Sequence, residues 1–138
     1  MSQDVYNFQI GTDEESYNLD ATVIQMGSDW VVSIVGGPRP HIGAVAIAQS
    51  RPSLMDEQVI SSTASVFCLL GHKEDVIVKE ASEKLSAFLN TNVVVTAGIH
   101  WDNIDQNGIQ KIIKNSGILI GKIQEKIEQG RDEICHEG

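Results

Sequence analysis

Three histidines stand at the borders of apolar runs. His41 opens one run, and His72 and His100 close two others. Arg39 and Lys73 lie beside the first two, and Asp102 follows the third. Groups of these types admit three chemistries. Three neutral imidazoles are a normal ligand set for a metal, although this spacing matches no local metal motif. Arg39, Lys73 and the backbone N–H groups around Gly36-Gly37 suit an anion, and a flavin nucleotide would supply the phosphate. A histidine partnered by Asp75 or Asp102 suits acid–base work. The plain alternative for each histidine is a strand-end residue with a satisfied hydrogen bond. No nucleophile elbow, P-loop, dinucleotide fingerprint or HExxH helix is present.

The stretch around His41 is unusual in composition. Val35-Gly36-Gly37-Pro38-Arg39-Pro40-His41-Ile42-Gly43 separates the apolar runs Trp30–Val35 and Ala44–Ala48. Glycine permits close backbone approach, and each proline fixes its own φ and pushes its predecessor toward an extended form. The segment reads either as a stiff hairpin connection or as a shaped small-molecule site that presents Arg39 and His41.

The surrounding elements decide where these groups fall. Val5–Ile10 alternates apolar and polar, as do Tyr17–Ala21 and their continuation to Met26, across a bulge. With the runs on either side of the glycine-rich segment, the first 48 residues predict four sequential strands with antiparallel neighbours. Gln49–Ser61 reads as the longest connection, with lids and plain surface loops as its two precedents. Ser62–Leu70 predicts a fifth strand. A helix follows, opened by Glu74 and Asp75 in favourable dipole positions, with Val78, Ala81, Leu85, Phe88 and Leu89 at helical spacing. Asn92–His100 predicts a central strand, apolar on both faces near its start. Asp105 is placed to cap a long second helix. Ile109, Ile112, Ile113, Leu119, Ile120, Ile123 and Ile127 mark its stripe, and Gly117 and Gly121 lie four apart on one face. From about Gly130 the polar composition predicts a frayed tail.

Strands come first and helices later, so the class is α+β. The expected architecture is a single domain over 1–138, with a mostly antiparallel sheet of about six strands and both helices on one face. The other face needs cover, and a homodimer supplies it most simply. If the strand after His41 runs antiparallel to those ending at His72 and His100, all three histidines share one edge.

Composition narrows the partners. Net charge is −9 over 138 residues. That argues against nucleic acid and against an anionic membrane surface. No apolar run approaches the ~20 residues that span a bilayer, and the N-terminus shows no secretory pattern. Cys68 and Cys135 read as reduced thiols of a cytoplasmic protein.

Three blocks together carry a resemblance. Gly36-Gly37-Pro38-Arg39-Pro40-His41-Ile42-Gly43, then Gly71-His72-Lys73-Glu74-Asp75, then Thr96-Ala97-Gly98-Ile99-His100 with Ile104 downstream, resemble the LpdD-type family, the small third component of gallate decarboxylase systems. The resemblance covers about positions 30–115. It implies a fold similar to the eukaryotic proteasome-assembly chaperones. It also implies a non-enzymatic maturation chaperone for prenylated FMN, or FMN, serving a UbiD-like decarboxylase. The cofactor-binding positions it implies are Gly36, Gly37, Pro40, His41, Ile42, Gly43, His72, Lys73, Thr96, Gly98 and His100. Arg39 falls in the variable part of the first block and is an optional contact beside His41. No catalytic residue and no resident metal are implied.

Overall fold

In the computed structural model, residues 6–69 and 74–137 are described, with 132–137 given by backbone alone. The elements run β1 (Asn7–Gly11), β2 (Leu19–Met26), β3 (Asp29–Gly36), β4 (Ala44–Pro52), β5 (Ile60–Cys68), α1 (Asp75–Leu89), β6 (Val93–Ile99) and α2 (Gln106–Glu137). One six-stranded sheet has the order β1-β2-β3-β6-β4-β5. The last strand in sequence is therefore central in space. β6 pairs parallel with β3 and antiparallel with β4. The remaining pairs are antiparallel, so the mostly antiparallel expectation holds, with one parallel pair added.

Strand alternation explains the core. Val93, Val95 and Ala97 point inward from β6, joined by Val32 and Ile34 of β3 and Ala44 and Ala46 of β4. Val78, Ala81 and Leu85 of α1, with Leu119, Ile123 and Ile127 of α2, complete the same cluster, so both helices cover one face. Burying a side chain of this size contributes about 1.5–3 kcal/mol. α1 closes at Asn90, whose left-handed φ of 52° lets its N–H reach the Ser86 carbonyl. The Asp105 carboxylate accepts from the Gly108 N–H at 2.8 Å, the expected cap.

Four local readings need correction. Tyr17 is not strand: it takes φ 57° in the turn before β2, and buried Asn115 of α2 donates to the Ser16 and Tyr17 carbonyls. The Gln49–Ser61 connection is shortened by ladder at both ends, since Arg51 pairs with Ser61 and Pro52 with Ile60, which leaves 53–59 as its turn. Its remaining turn lies at the sheet end opposite the histidine-bearing edge, which excludes a lid over that edge. Ile109 and Ile113 are not buried; they are 40% and 45% exposed. Finally, α2 continues to Glu137 instead of fraying at Gly130, because that stretch contains good helix formers and no proline. Phe88 is only partly buried against the core. Among the described residues no helix is long and apolar enough to cross a membrane.

Candidate functional site

Parallel β3 and β6 bring their carboxyl ends to one edge of the sheet. β4 runs the other way and begins there. His41 and His100 therefore do share an edge, as strand direction implied. His72 and Lys73 lie outside the described residues. The edge is built by interlocking the sequence blocks. Gly98 faces the His41 backbone so closely that an added Cβ would collide with the His41 carbonyl. Gly37, at φ 86°, faces the His100 carbonyl in the same way. The Gly43 N–H donates to the Ala97 carbonyl at 2.8 Å, and the His100 N–H donates to the Gly36 carbonyl at 3.0 Å. These glycines thus serve the approach of chain to chain.

Two polar clusters sit on this frame. In the first, the His41 Nδ1 lies 2.8 Å from the Arg39 carbonyl, which only accepts, so this nitrogen carries a proton there. The other ring nitrogen faces the Glu74 carboxylate at 3.3 Å. Glu74 is buried just ahead of α1 and accepts the Ile99 N–H at 3.2 Å. One carboxylate therefore joins all three blocks. In the second cluster, the His100 Nε2 lies 3.0 Å from the Asp102 carboxylate, which is 3.8 Å from the Arg39 guanidinium. The His100 hydrogen bond first, and the Arg39 charge second, hold the exposed Asp102 carboxyl below the usual range.

Beside His100 opens a cleft of about 420 Å³. Glu74 and His100 are its polar groups, and Trp101, Ile104, Ile109 and Ile113 contribute to an otherwise apolar lining. Trp101 is held edge-on against Tyr17, with ring centroids 5.1 Å apart. A larger groove, about 600 Å³, lies between β5 and α1. Its rim holds the salt-bridged pairs Lys79–Glu83 and Lys84–Glu80, and among the described residues only Asp75 of the motif blocks lines it. The smaller cleft is therefore the better candidate.

The predicted residues divide between places. Gly36, Gly37, Arg39, His41, Gly43, Gly98 and His100 come together at the edge. Pro40 and Ile42 are exposed on the connecting loop. Thr96 stands apart, in the sheet between Ser33 and Val45, on the face away from the helices. Asp102 does partner His100, and Glu74 partners His41; a pairing of Asp75 with His72 falls outside the described residues. Glu74 and Trp101 join the site although the sequence assigned neither of them to it. The signal available was an acidic residue adjoining His72-Lys73 and an aromatic adjoining His100. Among the described residues no three His, Cys, Asp or Glu side chains are grouped to hold a metal.

Comparisons with known proteins bear on the family and the fold. The chain is 29% identical over 94 residues to Protein LpdD of Lactiplantibacillus plantarum, a match spanning 67% of this chain and 65% of that protein. The match therefore covers just under two thirds of the relative's own length. The crystal structure of a chaperone complex for yeast 20S proteasome assembly contains a chain of similar fold. Its TM-score is 0.59 at 12% identity, over 91% of this chain and 96% of that chain. At that identity the likeness establishes the fold alone. Residues 13–128 match the prenylated flavin chaperone LpdD-like domain, and the chain belongs to that chaperone family, whose role is not enzymatic.

Proposed function

We propose that this chain is a cytoplasmic maturation chaperone that binds prenylated FMN at the β3/β6 edge and helps load it into a UbiD-like decarboxylase. In this reading it works as a homodimer. The observation that supports the reading is the interlock of the motif blocks beside an apolar cleft with His100 on its wall. The residues fit the cofactor. A volume of about 420 Å³ lies within the usual ~300–1,000 Å³ of small-molecule sites. Trp101, Ile104, Ile109 and Ile113 suit a flat ring extended by hydrocarbon. His100 can hydrogen-bond a ring heteroatom, and exposed Arg39 can pair with the phosphate. The bound cofactor supplies decarboxylation chemistry to the partner enzyme. This chain binds it, orients it and screens it from water.

The test is chromophore retention. Wild-type protein mixed with prenylated FMN, with and without oxygen, should carry the flavin absorbance through gel filtration. His100→Ala should weaken binding about tenfold, the scale of one lost hydrogen bond. Absence of bound chromophore in wild type under both conditions refutes the reading.

A second reading, an assembly chaperone acting through protein contacts alone, is favoured by the uncovered sheet face. It predicts capture of the decarboxylase that survives His41→Ala and His100→Ala in a chain that binds no flavin.

A further inference from the structure

The outer strands of the sheet, β1 and β5, end it in different ways. An open strand edge offers a row of N–H and C=O groups to any extended chain, and proteins blunt such edges with short strands, charges or proline. β1 is blunted: it has five residues, and Lys122 of α2 donates to its Gly11 carbonyl at 2.8 Å. β5 is not. It runs nine residues, from Ile60 to Cys68, with no charge and no proline.

The phase of its hydrogen bonds tells which groups are open. Just beyond its two ends, the Leu69 N–H donates to the Gly43 carbonyl at 2.9 Å, and the Val59 carbonyl accepts the Ser53 N–H at 2.7 Å. Odd-numbered residues of this strand therefore bond to β4. Ser62, Ala64 and Val66 turn their N–H and C=O groups to the open side. α1 lies alongside, where the Ser62 hydroxyl donates to the Glu83 carbonyl at 2.8 Å. Between the two elements is the groove of about 600 Å³. Ala64, Val66 and Val76 are its apolar lining. Its charged residues are Lys79, paired with Glu83 at 2.9 Å, Lys84, paired with Glu80 at 2.7 Å, and Asp75. Asp75 is thus the surplus charge among the described lining residues.

We infer that this groove takes an extended, basic peptide segment of a partner protein, which adds to β5 as a seventh strand. The open groups repeat every second residue along the strand, and another extended backbone is the ligand that matches that repeat. Its alternate side chains meet Ala64, Val66 and Val76, which suits small apolar residues. The surplus carboxylate of Asp75, on a chain of net charge −9, favours a lysine or arginine beside them. Among the described residues the groove shares only Val76 with the flavin cleft. The test needs no flavin, so it stands or falls apart from the cofactor reading.

Fluorescence anisotropy of the full chain with two labelled hexapeptides tests it. Both alternate valine and serine, one with lysine first and one with lysine last. One of them should bind saturably below about 1 mM, the weak end of specific binding; no saturable binding of either overturns the inference. N-methylation of one alternate set of amides should abolish binding and of the other set should spare it, whereas equal effects overturn strand addition. Ala64→Pro removes an outward N–H without touching the β4 ladder and should weaken binding about tenfold. Val66→Lys should act in the same direction if the proline variant misfolds. Folded variants that bind like wild type overturn the groove as the site. Asp75→Asn should weaken the lysine peptide about threefold and leave its norleucine analogue unchanged; equal binding of the two peptides to wild type overturns the basic occupant. A wild-type dimer that Ala64→Pro dissociates in sedimentation equilibrium assigns the edge to a second copy and overturns the peptide partner.

Discussion

Thr96 and Gly98 stand two residues apart on β6 and point to the same side of the sheet, yet they belong to different surfaces. Thr96 lies in open sheet between Ser33 and Val45, on the face away from the helices. Gly98 lies under the His41 backbone, where there is no room for a side chain. The first surface is a plain strand face with room for side chains. The second is shaped by chain-to-chain contact, with charges gathered on its rim. A residue type assigned to the site from the motif alone can therefore fall on either surface.

Gly98→Ala is the hardest test of that contrast. Its Cβ meets backbone, which cannot rotate away, so the 37–43 loop must shift. A loss of about 1–3 kcal/mol in denaturant unfolding is expected, together with loss of flavin retention. Thr96→Ala should leave flavin retention unchanged and cost little stability; equal effects of the two substitutions would erase the distinction. Glu74→Ala comes next, with an expected cost of about 1–3 kcal/mol, because the Ile99 N–H loses a buried acceptor. Glu74→Gln keeps an acceptor and should cost less. Gly117 and Gly121 supply the opposite case, with open space around each. Alanine at either should stabilise the chain by about 1 kcal/mol in thermal unfolding.

The smallest effect is electrostatic. Asp102 titrates lower in the folded chain than in the unfolded one. Its contribution is present above the ordinary Asp range and disappears as pH falls through the lowered folded value. Full exposure keeps that contribution small. Carboxyl chemical shifts should show the depressed midpoint. His100→Ala should return it toward the ordinary value further than Arg39→Ala does.

Much of this arrangement is legible in the sequence, because alternation and turn residues are local. The strands, both helices, the Asp105 cap and the shared edge of His41 and His100 follow from them. Strand order does not, since insertion of β6 between β3 and β4 is a contact between distant segments. Burial of Glu74 depends on that insertion, because the Ile99 N–H it accepts is supplied by β6. Ile109 and Ile113 fit a buried helical stripe by spacing alone. Their exposure reflects the open cleft they line, which periodicity does not encode. The motif groups Thr96 with Gly98, and only register separates them.

The position of β6 has a consequence in time. It is the last strand synthesised and the one that joins the other five. Before it inserts, β1–β2–β3 is a meander and β4–β5 a hairpin, each with an open strand edge. Contacts so distant in sequence close slowly. Neither His100 nor the Gly98 seat for the His41 loop exists until that closure. A partly made chain therefore has no edge on which to hold a flavin, and occupancy of the site would report that the sheet is complete.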